Sequence, residues 1–232
     1  PAPLRPTPRR ALSLSVEPER PGYNVGLAAA SSIAYASFIF CRSWFTVTQA
    51  VMKRDLGMTD SQANNIITSC AVVFGLSKFP AAQLVNTMDG PNSLLLFMAA
   101  TAAIVAFAST VASTDAIYVV SLLNALPQAG AYPAVTKLVC AGFNPEQRAS
   151  VFALISIGSR LGQVAVSLVL GEVLRMSNSG EGAAAEADWR TAVRVAPCVV
   201  LAAMGLLFAL SRGISSGLVL RPSPRDPDSA LP

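Results

Sequence analysis

The sequence contains no histidine, and only 13% of its 232 residues carry a charged side chain. The absence of histidine excludes an imidazole proton relay and a histidine metal site, and we expect neither a metal nor a cofactor. A soluble globular domain is about 25% charged, so this chain has about half the usual fraction. Because 53% of its residues are hydrophobic and its mean hydropathy is +0.51, the composition predicts an integral multi-pass membrane protein.

Several kinds of chemical site are also missing. The cysteines occur singly and without metal-ligand spacing, so we expect buried thiols that pack as small hydrophobic groups. No glycine-rich loop that could cradle a phosphate is present, since four of the glycines lie inside apolar segments, where small residues let helices approach closely. An enzyme would need an embedded carboxylate or histidine as its base. We therefore expect no catalytic residues, and no nucleic acid partner. The residues concerned are Cys41, Cys70, Cys140, Cys198, Gly75, Gly130, Gly158 and Gly162.

Hydrophobicity is concentrated in blocks, each near or above the ~20 residues that a helix needs to cross ~30 Å of hydrocarbon. The six blocks cover residues 27–49, 63–85, 94–112, 117–142, 151–174 and 192–210. If all six were buried helices of a soluble protein, too few residues would remain to form its surface. We predict an all-α membrane protein with a six-transmembrane-helix bundle.

The predicted bundle covers residues 25–213, and the flanking segments have a different composition. Residues 1–24 are rich in proline and arginine and read as a disordered basic tail. Residues 214–232 read as a second disordered tail or the start of a central linker. The first segment could also be the remnant of a transit peptide, an alternative that Glu17 and Glu19 argue against.

Basic residues predict the orientation of the chain, because the cytoplasmic side of a membrane protein carries the excess of lysine and arginine. An even number of spans places both tails on the same side. The tail side carries Arg5, Arg9, Arg10, Arg20, Arg148, Arg212, Arg221 and Arg225, and the other side carries Lys53, Arg54, Arg175, Arg190 and Arg194. We expect both termini in the cytoplasm. The sequence does not choose among the membranes of the endoplasmic reticulum, a plastid and the cell surface.

Four basic residues lie inside the apolar blocks and away from the block ends: Arg42, Lys78, Lys137 and Arg160. A charge at the centre of a bilayer costs several kcal/mol, so it normally faces a water-filled cavity or a partner. No acidic residue lies clearly inside a block. We therefore expect Arg42, Lys78 and Arg160 to bind an anionic small molecule that enters and leaves. Lys137 is a further candidate, although its place near a helix end also allows its ammonium to snorkel to the membrane surface.

The pairing of an arginine with a lysine is suited to a phosphate monoester or a dicarboxylate, and the residues alone do not separate these anions. Pro80, Pro127 and Pro133 lie inside the second and fourth blocks. Proline in a helix kinks or breaks it and frees backbone carbonyls, which is tolerated where the carbonyls line a cavity. These prolines therefore predict interrupted helices beside the route of the anion. The alternative is that the prolines have no special role, because membrane helices are in general richer in proline and glycine than soluble ones.

A series of motifs resembles the amino-terminal half of a major facilitator superfamily transporter. In chain order they are Cys41-Arg-Ser-Trp-Phe45, Asp55-Leu-Gly-Met-Thr-Asp-Ser-Gln62, Phe74-Gly-Leu-Ser-Lys-Phe79, Pro127-Gln-Ala-Gly-Ala-Tyr-Pro-Ala-Val-Thr-Lys137, Asn144-Pro-Glu-Gln-Arg148 and Asp188-Trp-Arg190. The resemblance covers roughly residues 35–210. It is to the organophosphate:phosphate antiporter branch, which includes glycerol-3-phosphate and glucose-6-phosphate carriers, and the Phe74–Phe79 signature is fairly specific to it.

The resemblance implies a function and a set of residues. Arg42 matches the arginine of the first helix that grips the substrate phosphate, Lys78 a basic residue of the second helix, and Lys137 a basic position of the fourth. It implies a secondary transporter that moves an organic phosphate, such as a sugar phosphate or glycerol-3-phosphate, in exchange for inorganic phosphate. Such transporters have two six-helix halves, so the second half would be further sequence or a second chain.

The chain also departs from the pattern of that branch. In the bacterial carriers a lysine follows the arginine that corresponds to Arg42, and this chain has Ser43 at that position. Ser159, beside Arg160, occupies the position of a histidine found in some of those carriers. The Gly-x-x-x-Asp-Arg gate motif is replaced by Ala82, Asn86 and Thr87. The missing gate motif favours an alternative function, a non-transporting sensor or structural membrane subunit that retains the transporter fold.

Overall fold

The computed structural model of the chain describes residues 25–177 and 189–215, which form six α-helices. In chain order the helices are α1 (Val25–Leu56), α2 (Asp60–Thr87), α3 (Gly90–Ala108), α4 (Thr114–Gly142), α5 (Pro145–Ser177) and α6 (Trp189–Ser215). Each predicted apolar block lies almost wholly within one of them. The prediction of an all-α, six-helix bundle is confirmed, and the predicted tails lie largely outside the described residues.

Short polar sequences fix where the helices begin. Thr59 caps α2: its hydroxyl accepts a hydrogen bond from the Gln62 amide while the Gln62 side chain accepts one from the Thr59 amide. This capping box satisfies two amides that would otherwise lack partners. Ser113 caps α4 with a single hydrogen bond, which its hydroxyl accepts from the amide of Ala116. Asp60, which follows the Thr59 cap, is the first residue of α2.

Five of the six helices are long and apolar enough to cross a membrane, namely all except α4. The fourth helix has 29 residues, so length is no obstacle to a span. Its apolar sequence is broken by polar residues such as Asn124 and Gln128, which are buried inside the bundle. The helix therefore turns polar side chains inward, where the protein and not lipid surrounds them.

The helices pack in a defined order around α1. Helix α1 contacts α5, α6 and α4, while α3 contacts α4 and α6, and α2 packs chiefly against α4. No contact joins α2 to α5 within the described residues, so these two helices stand apart on either side of α1 and α4. They are also the least buried of the apolar helices. The gap between them opens one face of the bundle.

Glycines allow the closest of these helix contacts. A Cβ atom placed on Gly162 of α5 would lie 3.0 Å from the backbone oxygen of Ala36, and one on Gly158 would lie 2.1 Å from the Ser32 hydroxyl. On α4, a Cβ at Gly130 would lie 2.3 Å from the ring of Phe97. The expected role of these three glycines in close helix packing is confirmed, whereas Gly75 has open space around it.

The intramembrane prolines do not break the helices, contrary to the prediction. Pro80 lies within continuous α2, and Pro127 and Pro133 lie within continuous α4. A proline removes one backbone donor from a helix, and neighbouring helices can compensate in a membrane protein. Pro127 is buried against the rest of the bundle, so packing holds the helix together there.

Candidate anion-binding cavity

A cavity of about 490 Å³ lies between α1, α2, α4 and α5. Its lining mixes cationic, uncharged polar and aromatic side chains, and the main contributors are Arg42, Phe74, Asn124, Gln128, Arg160 and Gln163. Lys78 is placed beside this lining, and Lys137 is not part of it. The cavity has the size and the mixed apolar and polar character typical of a small-molecule site.

Arg42 lies near the middle of α1, with its guanidinium carbon 4.2 Å from the centre of the Phe74 ring. The ammonium of Lys78, one helical turn after Phe74 on α2, lies 4.9 Å from the centre of the same ring. A cation over an aromatic face is attracted by the electrons of the ring. Phe74 therefore holds two cations from two helices at one side of the cavity.

Arg160 projects from α5 into the same cavity. The close contact of Gly158 and Gly162 with α1 fixes the position of α5. Arg160 lies between these two glycines in sequence and so points away from the α1 contact, toward the open side of the bundle. Arg42, Lys78 and Arg160 are all exposed in the described structure, and their charged groups are free to meet a ligand.

Ion pairs among the described residues lie near the ends of the helices. They are Lys53 with Asp60, Arg175 with Glu172 (2.5 Å) and Arg190 with Asp55 (3.0 Å). None of them includes Arg42, Lys78 or Arg160. Within the described part of the chain, the cavity therefore has a positive charge that no carboxylate neutralises, and it is suited to an anion.

Lys137 has a different environment. Its ammonium donates hydrogen bonds to the backbone oxygens of Val85 (2.9 Å), Asn86 (3.3 Å) and Met88 (2.5 Å), where α2 ends. The last carbonyls of a helix have no partner within the helix, and a cation there also interacts favourably with the helix dipole. An ammonium has three donors, and these three carbonyls use them. Of the four predicted residues, Arg42, Lys78 and Arg160 thus lie at or beside the cavity. Lys137 lies at the end of α2, outside the cavity lining.

Sequence reasoning missed the amide pair on α4. Asn124 Nδ2 and Gln128 Nε2 donate to the backbone oxygen of Cys41, at 3.1 and 3.2 Å. Cys41 immediately precedes Arg42, so these amides hold α1 at the residue that carries the cation. The spacing of four residues between two amides in an apolar segment was the available signal, since it places both on one face of a helix.

No cluster of three or more histidine, cysteine or acidic side chains that could hold a metal occurs in residues 25–177 and 189–215. The four cysteines are free thiols; Cys41 is buried, Cys70 is partly buried, and Cys140 and Cys198 are exposed. The prediction that the cysteines are buried is therefore confirmed for Cys41, holds in part for Cys70, and is wrong for Cys140 and Cys198. The polar groups of the cavity are instead guanidinium, ammonium, amide and hydroxyl groups, which act on a ligand through charge and hydrogen bonding.

Comparison with solved structures finds the same fold in a membrane transporter. A bacterial homologue of the human lysosomal transporter Spinster, in an inward-facing and occupied conformation, matches 79% of this chain with a TM-score of 0.70 and 17% sequence identity. The inward-facing and unoccupied conformation matches 81% of it with a TM-score of 0.69 and the same identity. The chain spans only 43% of the length of either structure.

Comparison with curated proteins finds no match. The family comparison, by contrast, covers most of the sequence: the model of the Major Facilitator Superfamily matches residues 31–230. The apolar helices, the shared fold and this match make the chain an integral, multi-pass membrane protein. Its six-helix bundle corresponds to one half of the fold, and the chain belongs to the Major Facilitator Superfamily.

Proposed function

We propose that the chain is the six-helix half of a secondary transporter that moves an organic phosphate anion in exchange for inorganic phosphate. The observation that carries the proposal is the grouping of Arg42 and Lys78 at one aromatic ring, with Arg160 at the same cavity. Cations near the middle of a membrane protein are costly unless they meet water or a partner. A phosphate supplies that partner and leaves with each transport cycle.

The three cations have distinct roles in this proposal. Arg42 donates two parallel hydrogen bonds to the phosphate, because a guanidinium presents a planar fork of donors. Lys78 supplies a compact point charge beside the same Phe74 ring. Arg160 approaches from α5 and brings a third positive charge toward the ligand. Lys137 supports the site indirectly, by holding the end of α2 against α4.

The open face of the bundle is completed by a second six-helix half, either further sequence or a second chain. The exposed apolar side chains of α2 and α5 include Leu76, Phe79, Leu161 and Leu168. With the second half in place, the cations would face an enclosed aqueous route and not lipid. The transported anion would then bind between the two halves.

The proposal is tested by exchange in proteoliposomes that contain the complete transporter. Uptake of labelled glycerol-3-phosphate should require inorganic phosphate inside the vesicles. The empty transporter would have to change its conformation with the basic side chains of the cavity unneutralised, which has a large energetic cost. Replacing internal phosphate by sulfate and by malate gives the matched controls. Uptake at the same rate without internal phosphate would contradict exchange.

A non-transporting sensor or structural subunit is the second candidate. Ala82, Asn86 and Thr87, in the last turns of α2, stand where the resembling carriers have a charged gate motif. Lys137 instead binds the end of α2 through the backbone oxygens of Val85, Asn86 and Met88. Such a fixed contact between α2 and α4 suits a protein that binds a ligand without alternating between two conformations. Phosphate-ester binding without any uptake into proteoliposomes would favour this candidate.

A further inference from the structure

We propose that Ser121 and Asn124 of α4 form a hydroxyl-binding subsite beside the cations, which selects an organic anion that carries hydroxyl groups. This inference rests on the proposed function, because it assumes that an organic anion occupies the cavity. Both residues line the cavity, and they lie three positions apart, so they share one face of α4. Each contributes an oxygen that is buried and has no hydrogen-bond partner.

The orientation of the Asn124 amide is fixed by its neighbour. The backbone oxygen of Cys41 can only accept, so the atom that approaches it at 3.1 Å is the amide nitrogen. The amide oxygen, Oδ1, consequently faces away from this contact and is left without a donor. Asn124 is 5% exposed. A buried polar atom without a partner is uncommon in native proteins and calls for a functional explanation.

Ser121 lies one helical turn before Asn124 and is also buried. Many hydroxyls in these helices donate back to a carbonyl of the preceding turn, as Ser31 and Ser156 do. The Ser121 hydroxyl makes no hydrogen bond. It can both donate and accept, and it thus complements the Asn124 oxygen, which can only accept.

These two oxygens prefer a hydroxyl to a phosphate. A fully ionised phosphate has acceptor oxygens only, so it offers nothing to Asn124 Oδ1, whereas Arg42 and Lys78 offer only donors. A hydroxyl of the ligand can donate to Asn124 and exchange a hydrogen bond with Ser121. A ligand hydroxyl that reaches these oxygens would form hydrogen bonds that they lack in the structure, whereas a methyl group would leave them without a partner.

The hydroxyl subsite is connected to the phosphate-binding Arg42 through the backbone of α1. Asn124 binds the carbonyl of Cys41, and Arg42 is the next residue. A ligand whose phosphate meets Arg42 therefore extends its carbon chain along α4, where hydroxyl groups on the first few carbons reach the subsite. The expected ligand class is a phosphate ester of a small polyol or sugar.

The test measures dissociation constants by isothermal titration calorimetry on the complete transporter in detergent. The probes are glycerol-3-phosphate and n-propyl phosphate, which differ in two hydroxyls, and the pair glycerate and propionate, which carries the same difference on a carboxylate. The wild type should bind glycerol-3-phosphate about tenfold more tightly than n-propyl phosphate, as expected for one or two neutral hydrogen bonds.

Ser121→Ala should reduce this ratio toward one. The variant removes a hydroxyl that makes no hydrogen bond in the structure, so the fold loses nothing by it. Asn124→Leu should reduce the ratio as well, and it is the second variant because it also removes the bond to Cys41. Thr136→Val is the matched control: it removes another unpartnered buried hydroxyl of α4 that lies outside the cavity lining, and the ratio should stay at its wild-type value.

The outcomes separate this inference from the proposed function. Tight phosphate binding with equal affinity for glycerol-3-phosphate and n-propyl phosphate would overturn the hydroxyl subsite and leave the phosphate site standing. A preference for glycerate over propionate that Ser121→Ala abolishes, without binding of either phosphate ester, would support the subsite and overturn the phosphate headgroup. Absence of binding to all four probes would overturn both.

Discussion

Four embedded basic residues with similar sequence surroundings have two different environments. Arg42, Lys78 and Arg160 lie at or beside the cavity, whereas Lys137 hydrogen-bonds the end of α2. The sequence predicted the positive cavity because no acidic residue lies clearly inside an apolar block. It could not identify the partners of Lys137, because these are backbone oxygens about fifty residues away in the chain, which have no residue-type signature.

The environment of Lys137 gives a prediction for stability. Lys137→Met should lower the melting temperature of the purified protein, since three backbone oxygens lose a charged donor, and each hydrogen bond to a charged group is worth about 1.5–3 kcal/mol. Tryptophan fluorescence during heating in detergent would measure the change. Arg54→Met is the control, because this exposed arginine makes no ion pair among those described, and its melting temperature should stay near wild type. Equal melting temperatures for Lys137→Met and wild type would contradict the structural role.

The uncharged residues of the cavity were harder to predict than the cations. Asn124 and Gln128 have the spacing of one helical face, but the sequence alone does not show that both amides reach the Cys41 carbonyl on another helix. Phe74 is an ordinary apolar residue of its segment, and its contact with two cations depends on how α1 and α2 are placed. Charge at membrane depth is visible in a sequence, whereas neutral hydrogen-bonding geometry requires the fold.

At the scale of the helices, the apolar blocks predicted the existence and order of all six elements. Their ends were less predictable, because caps depend on local geometry, as in the capping box of Thr59 and Gln62 at the start of α2. The continuity of α4 through Pro127 and Pro133 was also not predictable. The energetic effect of a proline depends on which neighbouring groups compensate for the missing donor, and those neighbours come from other helices.

The contact between α1 and α5 gives a prediction at this scale. Gly162→Val should lower the melting temperature, because its Cβ would lie 3.0 Å from the backbone oxygen of Ala36, and overpacking costs about 1–3 kcal/mol. Gly171→Val, on the same helix, has nothing within 4 Å of its Cβ and controls for the helix propensity of valine. Thermal unfolding of both variants in the same detergent makes the comparison. An equal effect of the two substitutions would show that α1 and α5 are not closely packed there.

For the whole molecule, the open side of the bundle agrees with the fraction of the matched transporters' length that this chain spans. It spans 43% of the matched transporters, and its least buried apolar helices, α2 and α5, flank the cavity. Composition predicted a bundle with an inward positive site. The family resemblance implies a second six-helix half, and the proposed anion would then contact residues of both halves.

The orientation in the membrane is a testable property of the whole chain. Cysteines introduced at Arg10 and Arg225 should both react with a membrane-impermeant maleimide only from the cytoplasmic side, because the chain would return to its starting side if all six helices cross the membrane. Cys140 and Cys198 are exposed and are first replaced by serine. A cysteine at Arg54, near the opposite end of α1, should react only from the other side. Labelling of positions 10 and 225 from opposite sides would rule out an even number of spans.

In the proposed function, Arg42 binds the phosphate of the transported anion. Counterflow of labelled inorganic phosphate into proteoliposomes of the complete transporter tests it most directly, with Arg42→Lys compared with wild type and with Arg54→Lys as the matched control. A lysine keeps the charge but cannot reproduce the paired hydrogen bonds of a guanidinium. Losing a charge-assisted bond of about 1.5–3 kcal/mol should weaken phosphate binding by roughly ten- to a hundredfold. The half-saturating phosphate concentration should rise accordingly for Arg42→Lys alone, whereas identical counterflow in all three proteins would contradict a phosphate site at Arg42.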